Sequence, residues 1–171
     1  MALLNILEFP DPKLRQRASE VIAFDNTLKT TCEDMLETMY NAKGIGLAAI
    51  QVNILKRIVV IDLTEEKNNP LIFINPEIIE VSEGTKQHGE GCLSVPGIYE
   101  NVTRPDSFVG KYHDLDGLEH KLEADGLLSV CLQHEIDHLN GRVFVDRLSR
   151  LKQEKIVRKL QKEKRRSLAE A

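Results

Sequence analysis

The sequence lacks the cysteine pattern of a disulfide scaffold. Cys32, Cys92 and Cys131 are odd in number and widely, irregularly spaced. Free thiols in a reduced compartment fit that usage, each being either core filler or a thiolate with a task. No apolar run reaches the ~20 residues that a membrane helix needs. The start, MALLNILEFPDPKLRQ, shows neither a basic leader nor a small-residue cleavage site, so no signal peptide is expected. No segment is low in complexity, and no repeat recurs at a solenoid period. These absences lead to the expectation of a cytoplasmic protein without membrane contact; a monomer is expected as the default. The 171 residues, 42% of them hydrophobic, suffice for one domain with a sizeable core but not for two full-sized ones.

Asp11-Pro12 reads as a helix start, and residues 13–16 as a short helical turn. A helix is predicted over residues 26–42, because Leu28, Cys32, Met35, Leu36 and Met39 recur on one face. Cys32 belongs to that face and reads as core. Residues 57–62 and 71–74 are short β-branched or aromatic runs, expected as strands. Asn75-Pro76 is expected to break the second run, which resumes over residues 77–81. Residues 107–113 and 118–123 read as a hairpin with a tight turn at Asp116-Gly117. His113 and His120 flank that turn and are expected to be exposed. Residues 125–139 form a helix that is apolar nearly all round and therefore buried. Ser149 is a good N-cap for a last helix reaching about Arg166. Strands clustered between helices indicate an α+β fold. We divide the chain into a catalytic portion, residues 1–148, and a basic C-terminal helix and tail of the same domain, residues 149–171.

The chemistry lies in the buried helix. Gln133-His134-Glu135-Ile136-Asp137-His138 sets two imidazoles one turn apart on one face, able to grip one metal ion, with Glu135 adjacent. This is the H-E-x-x-H pattern of metal-dependent hydrolases. A His-Glu-x-Asp-His cluster buried in an apolar helix is costly unless a partner satisfies it. A catalytic site wants a third protein ligand and an open position. After His138 there is no further His or Cys, whereas a zinc peptidase usually finds its third ligand downstream. Cys92, in Glu90-Gly91-Cys92-Leu93-Ser94-Val95-Pro96, is the upstream candidate. His88 leaves another reading open: as a fourth ligand it would make a closed, non-catalytic metal staple. A third unusual stretch, Gly44-Ile45-Gly46-Leu47-Ala48-Ala49-Ile50-Gln51, is neither a dinucleotide fingerprint nor a P-loop. Its small residues suit a backbone that something approaches closely, or merely a tight helix-to-strand connection.

These three segments, together with Leu139-Asn140-Gly141 after the second histidine, resemble the signature motifs of peptide deformylases, in the family's order. The likeness runs over nearly the whole chain, and the basic C-terminal helix resembles the bacterial type of Gram-negative species. The resemblance implies antiparallel sheets around the buried motif helix. It implies hydrolytic removal of the formyl group from the N-terminal formyl-methionine of new polypeptides by a metal-activated water. Cys92, His134 and His138 would be the ligands, and His88 would lie outside them. The family metal is typically Fe(II), with Zn, Ni or Co as substitutes. Glu135 would be the acid/base. The Gln51 side chain and the Leu93 backbone N–H would stabilise the oxyanion. Ile45, Gly46 and Gly91 would bind the peptide through their backbones, and Leu127, Val130 and Cys131 would help line the methionine pocket.

Residues 147–166 carry ten Lys/Arg and two Glu, a net of +8; the whole chain is −4, so the rest carries −12. A basic helix is usually a solvated face. It also suits a phosphate-rich partner, which the resemblance implies is the ribosome.

Overall fold

A computed structural model describes residues 2–170. Asp11 caps a 3-10 turn, Pro12–Arg15, by accepting the Lys13 N–H. Helix α1 spans Asn26–Asn41, with the Asp25 carboxylate accepting the Leu28 N–H at its start. Next come β1 (Gly46–Ala48), β2 (Ile58–Ile61), β3 (Leu71–Val81), β4 (Thr85–Cys92), β5 (Val95–Pro105), β6 (Phe108–His113) and β7 (Glu119–Ala124). Helix α2 (Gly126–Leu139) and helix α3 (Arg150–Glu170) follow. Five strands form an antiparallel sheet in the order β1-β2-β3-β6-β7, while β4 and β5 form a separate antiparallel hairpin. The α+β class and the buried motif helix are as expected. No helix among the described residues is long and apolar enough to cross a membrane.

Strand β2 organises the interior. All four of its residues are buried, because both of its faces are covered. Ile58 and Val60 point toward α1, where they join Leu28, Cys32, Met35 and Met39. Val59 and Ile61 point the other way and join Leu132, Ile136 and Leu139 of α2. An unbroken β-branched run is the signature of a strand covered on both faces. Ile156 and Leu160 of α3 pack into the same cluster as α2.

The expected break at Asn75-Pro76 is instead a bulge. Strand β3 continues through it, with a register shift between Ile74 and Glu77. Asn75 takes a left-handed φ of 51°, which Asn tolerates better than most residues. Its side chain accepts the Val21 N–H and donates to the Val21 carbonyl. The bulge also accommodates the missing N–H of Pro76. The β6–β7 hairpin forms as predicted, with Gly117 at φ 83°. His120 is exposed and bonded to Asp114, whereas His113 is only half-exposed, its ring edge-on to Phe24 at 5.8 Å. The expected end of α3 near Arg166 falls one turn short of Glu170.

The C-terminal end of α2 is fixed from outside the helix. The Ala18 N–H donates to the Leu139 carbonyl, and the Arg57 guanidinium donates to the same carbonyl and to the Asn140 side chain. A cation there complements the helix dipole. Gly141 follows at φ 78°, and a Cβ on it would collide with the Arg15 carbonyl. Both the backbone conformation and the space therefore require glycine. Replacing it, Gly141→Ala, is expected to lower the thermal midpoint by at least about 3 °C, because the strain exceeds ~1 kcal/mol. Calorimetry on the purified variant measures this.

Candidate metal and hydrolytic site

Two elements supply the converging side chains. Helix α2 presents His134 and His138 on one face, and Cys92 ends β4 at a bulge in the hairpin. Their potential ligand atoms all lie within 4.8 Å of one another, with Cys92 Sγ 3.3 Å from His138 Nε2. One sulfur and two imidazole nitrogens are the donor chemistry of Zn, Fe, Ni or Co sites. The group fits a divalent ion on further grounds. His134 is oriented by a 2.9 Å bond from Nδ1 to the Glu90 carboxylate, the arrangement that leaves Nε2 free for a metal. Glu135 Oε1 is buried with no hydrogen-bond partner among the described residues. His88 is not among the converging groups; it lies four residues before Cys92 on β4, about 13 Å along an extended strand.

Behind the histidines runs an ionic chain, buried except at its Arg147 end. Glu90 accepts two bonds from Arg104, at 2.6 and 2.9 Å. Arg104 also donates to Asp137 at 2.9 Å, and Asp137 accepts two bonds from Arg147. Arg104 is only 2% exposed. Burial raises the Glu90 and Asp137 carboxyls, but their hydrogen bonds and the facing cations outweigh it and hold both below the usual carboxylate range. The costly Asp137 thus finds its partners in two arginines. Sequence reasoning did not reach Arg104 or the role of Glu90; the only signal was the unsatisfied acid inside the histidine motif.

Glu135 has the opposite electrostatics. Burial pushes its carboxyl up to about 7, while His134 and Arg104 pull it down and Glu90 and Asp137 add to the rise. His134 rises well above the ordinary imidazole value: burial lowers it, but hydrogen bonds to Cys92 and Glu90 prevail. His138 is held well below that value by burial, then by His134. Gly46 of β1 lies against Glu135, and a Cβ there would sit 2.7 Å from Oε2. The close approaches expected of the Gly44–Gln51 stretch are therefore to Glu135 from Gly46 and to the Leu93 side chain from Gly44. In the same stretch, Gln51 is buried in a 3-10 turn, Ala49–Val52. Its Oε1 accepts the Ala48 N–H, while its Nε2 lies 3.0 Å from Ser94 Oγ and 3.4 Å from Cys92 Sγ.

A cleft of ≈ 440 Å³ opens onto these groups. Ile45, Gly46, Gly91, Leu93, Leu127 and Val130 line it, and so does Cys131. Ile45 and Leu127 stand half-exposed at 45% and 50%, whereas Val130 is buried. Burial pushes the Cys131 thiol up to about 12, so it is neutral and acts as apolar wall. The cleft also takes in Gln51, Cys92, His134 and Glu135, while His138 lies fully buried behind it, against Cys92.

Breaking the ionic chain tests its weight. Arg104→Met leaves two buried carboxylates short of their cation, which typically costs about 3–5 kcal/mol. Denaturant unfolding at pH 7 should show that loss, together with reduced metal content. The sign with pH follows from the depressed carboxyls. Their contribution is complete above the ordinary carboxylate value of about 4 and disappears as pH falls through the depressed folded values. The acid limb of the stability profile should therefore be shallower in R104M than in the wild type.

Residues 3–154 match a family model described as polypeptide deformylase. The chain is 56% identical over 165 residues to a peptide deformylase of Pseudomonas aeruginosa, covering 96% of this chain and 98% of that protein. It is 55% identical over 163 residues to peptide deformylase 1 of Pseudomonas syringae pv. tomato, covering 95% and 97%. A crystal structure of a peptide deformylase from Legionella pneumophila superposes with a TM-score of 0.91 at 46% identity, covering 98% of each chain. The Ehrlichia chaffeensis peptide deformylase in complex with actinonin gives 0.91 at 40% identity, covering 96% of this chain and 99% of that one.

Proposed function

The chain belongs to the polypeptide deformylase family, and from that membership we propose how its cleft removes the N-terminal formyl group from formyl-methionyl chains. The observation that carries the reading is the convergence of Cys92, His134 and His138 beside a buried Glu135 whose Oε1 has no hydrogen-bond partner among the described residues. Cys92, His134 and His138 would hold one divalent ion, which we take to be Fe(II), with Zn, Ni or Co able to replace it. Bound there, the ion supplies Lewis acidity that activates a water and polarises the formyl oxygen. Glu135 takes the water's proton and later hands it to the departing amine. A carboxyl near 7 suits both duties, because base and acid forms are both available at neutral pH. The Gln51 side chain and the Leu93 backbone N–H stabilise the oxyanion. Gln51 is well suited, its carbonyl being tied to Ala48 so that its amide faces Cys92.

The backbones of Ile45, Gly46 and Gly91 bind the peptide as an added strand. Strand β1 supports this reading, since among the described residues it ends the sheet order and pairs only with β2. Leu127, Val130 and Cys131 form the wall that receives the methionine side chain. The formyl group is carried by chains emerging from the ribosome, so the enzyme works in the cytoplasm.

Anaerobic purification, metal analysis and assay on formylated and unformylated Met-peptides, all on one preparation, test the assignment. Iron should be the main metal, and only the formylated peptide should be cleaved. Glu135→Ala should retain metal yet lose at least about 10²-fold in turnover; near-normal turnover would refute the acid/base role.

The basic helix α3 would tether the enzyme to ribosomal RNA. Arg158, Lys162, Arg165 and Arg166 share one exposed patch, while Ile156 and Leu160 stay packed in the core. Replacing those four cations by Glu should abolish ribosome co-sedimentation in low salt and leave turnover of short peptides unchanged. Undiminished co-sedimentation would remove the tether from the scheme.

A further inference from the structure

Strand β1 has three residues and one paired neighbour, β2. So short an edge strand makes few ladder bonds of its own. The segment leading into it leaves α1 through Lys43, at φ 59°, whose N–H donates to the Tyr40 carbonyl, while the Gly44 N–H donates to Met39. It then reaches Ile45, whose carbonyl accepts the Asp62 N–H at 2.8 Å, one step beyond the β1–β2 ladder. Asp62 is therefore the last backbone anchor of the edge that faces the cleft.

The Asp62 side chain does something separate. It is buried and, among the described residues, takes its hydrogen bonds from neutral donors. The Tyr40 hydroxyl donates to Oδ2 at 2.6 Å, and the Asn69 N–H donates to the same oxygen. Thr64 donates to Oδ1 through both its N–H and its hydroxyl. Burial alone would raise this carboxyl, but the four donors outweigh it and hold it at about 2. One carboxylate thus joins the C-terminal turn of α1, the loop after β2 and, through its own backbone, Ile45.

We propose that Tyr40 and Asp62 are positioning residues for peptide binding: their bond fastens the end of α1 to the end of β2 and so holds residues 43–46 at the spacing an incoming strand requires. This rests on the reading that Ile45 and Gly46 bind the peptide through their backbones. Neither side chain lines the cleft. Their loss should weaken binding without altering the chemistry of a bound formyl group. The effect should grow with peptide length, because each further residue adds ladder bonds to a misplaced edge.

The test compares wild type, Tyr40→Phe and Asp62→Asn, as metal-loaded enzymes, on formyl-Met peptides of one to three further residues. It also uses matched peptides with one backbone amide replaced by an ester. Metal content and thermal midpoint are measured on each preparation. Y40F keeps the ring and removes one donor, so it decides the matter if D62N does not fold. The expected result is a KM for the longest peptide raised about tenfold in Y40F, with kcat within about twofold, metal content unchanged and a smaller effect on the shortest peptide. Wild type should lose affinity for the ester peptides, and Y40F should lose less. If wild type shows the ester penalty while Y40F keeps the wild-type KM at every length, or loses kcat and KM equally at all lengths, the positioning role is wrong. If wild type shows no ester penalty, the strand-addition reading itself fails, and this inference with it.

Discussion

Arg104 ties the hairpin β4–β5 to helix α2 through charge, beside the Glu90–His134 and Gln133–Pro105 hydrogen bonds that also join them. The hairpin β4–β5 stands apart from the main sheet, and yet it carries Cys92, whose sulfur must meet two imidazoles on α2. A buried guanidinium with a fixed fork grips Glu90 on the hairpin with two bonds and Asp137 on the helix with a third. Planar, multi-point contacts of that kind fix direction as well as distance. An apolar contact in the same place would tolerate sliding, and a slide of one residue would turn Cys92 to the other face of its strand. The ionic chain is thus better understood as alignment than as net stabilisation, since buried ion pairs contribute little beyond their own desolvation cost.

The same chain sets the chemistry of the histidines. Glu90 faces both Arg104 and His134, so its charge is retained and it orients the ring. Asp137 is neutralised by Arg104 and Arg147 rather than by either imidazole. Glu135, between these neighbours on the helix, receives no hydrogen bond on Oε1. Three acids within one small volume therefore have different tasks, and the difference comes from which of them is given a cation.

Much of this was legible in the sequence, for identifiable reasons. Helix α2 announced itself because its apolar residues surround the histidines, and the β6–β7 hairpin because alternation and Asp116-Gly117 coincide. The hairpin β4–β5 escaped. Lys86, Gln87 and His88 are polar, and along β5 a core position is filled by Arg104, so alternation of apolar and polar residues is masked where it matters. Periodicity also cannot pair Glu90 with Arg104 or Arg104 with Asp137, which meet only through the tertiary fold. The bulge at Asn75-Pro76 misled for a related reason: a proline reads locally as a stop, while the clasp between Asn75 and Val21 that carries the strand through it is a contact across 54 positions. The Gly44–Gln51 segment carries no periodic pattern, because its requirement is proximity to Leu93 and Glu135.

Strand β2 has a consequence for how the molecule comes apart. Its alternate residues belong to two different apolar clusters, one under α1 and one under α2. Neither cluster can open without exposing half of the same four-residue strand, so the two are obliged to melt together. Amide protons on β2 would accordingly exchange only through global opening, at the full stability of the fold. The far turns of α3, beyond Leu160, belong to neither cluster and can fray without that cost. A protein built this way keeps its cleft intact or loses it altogether, while its charged end remains free to move.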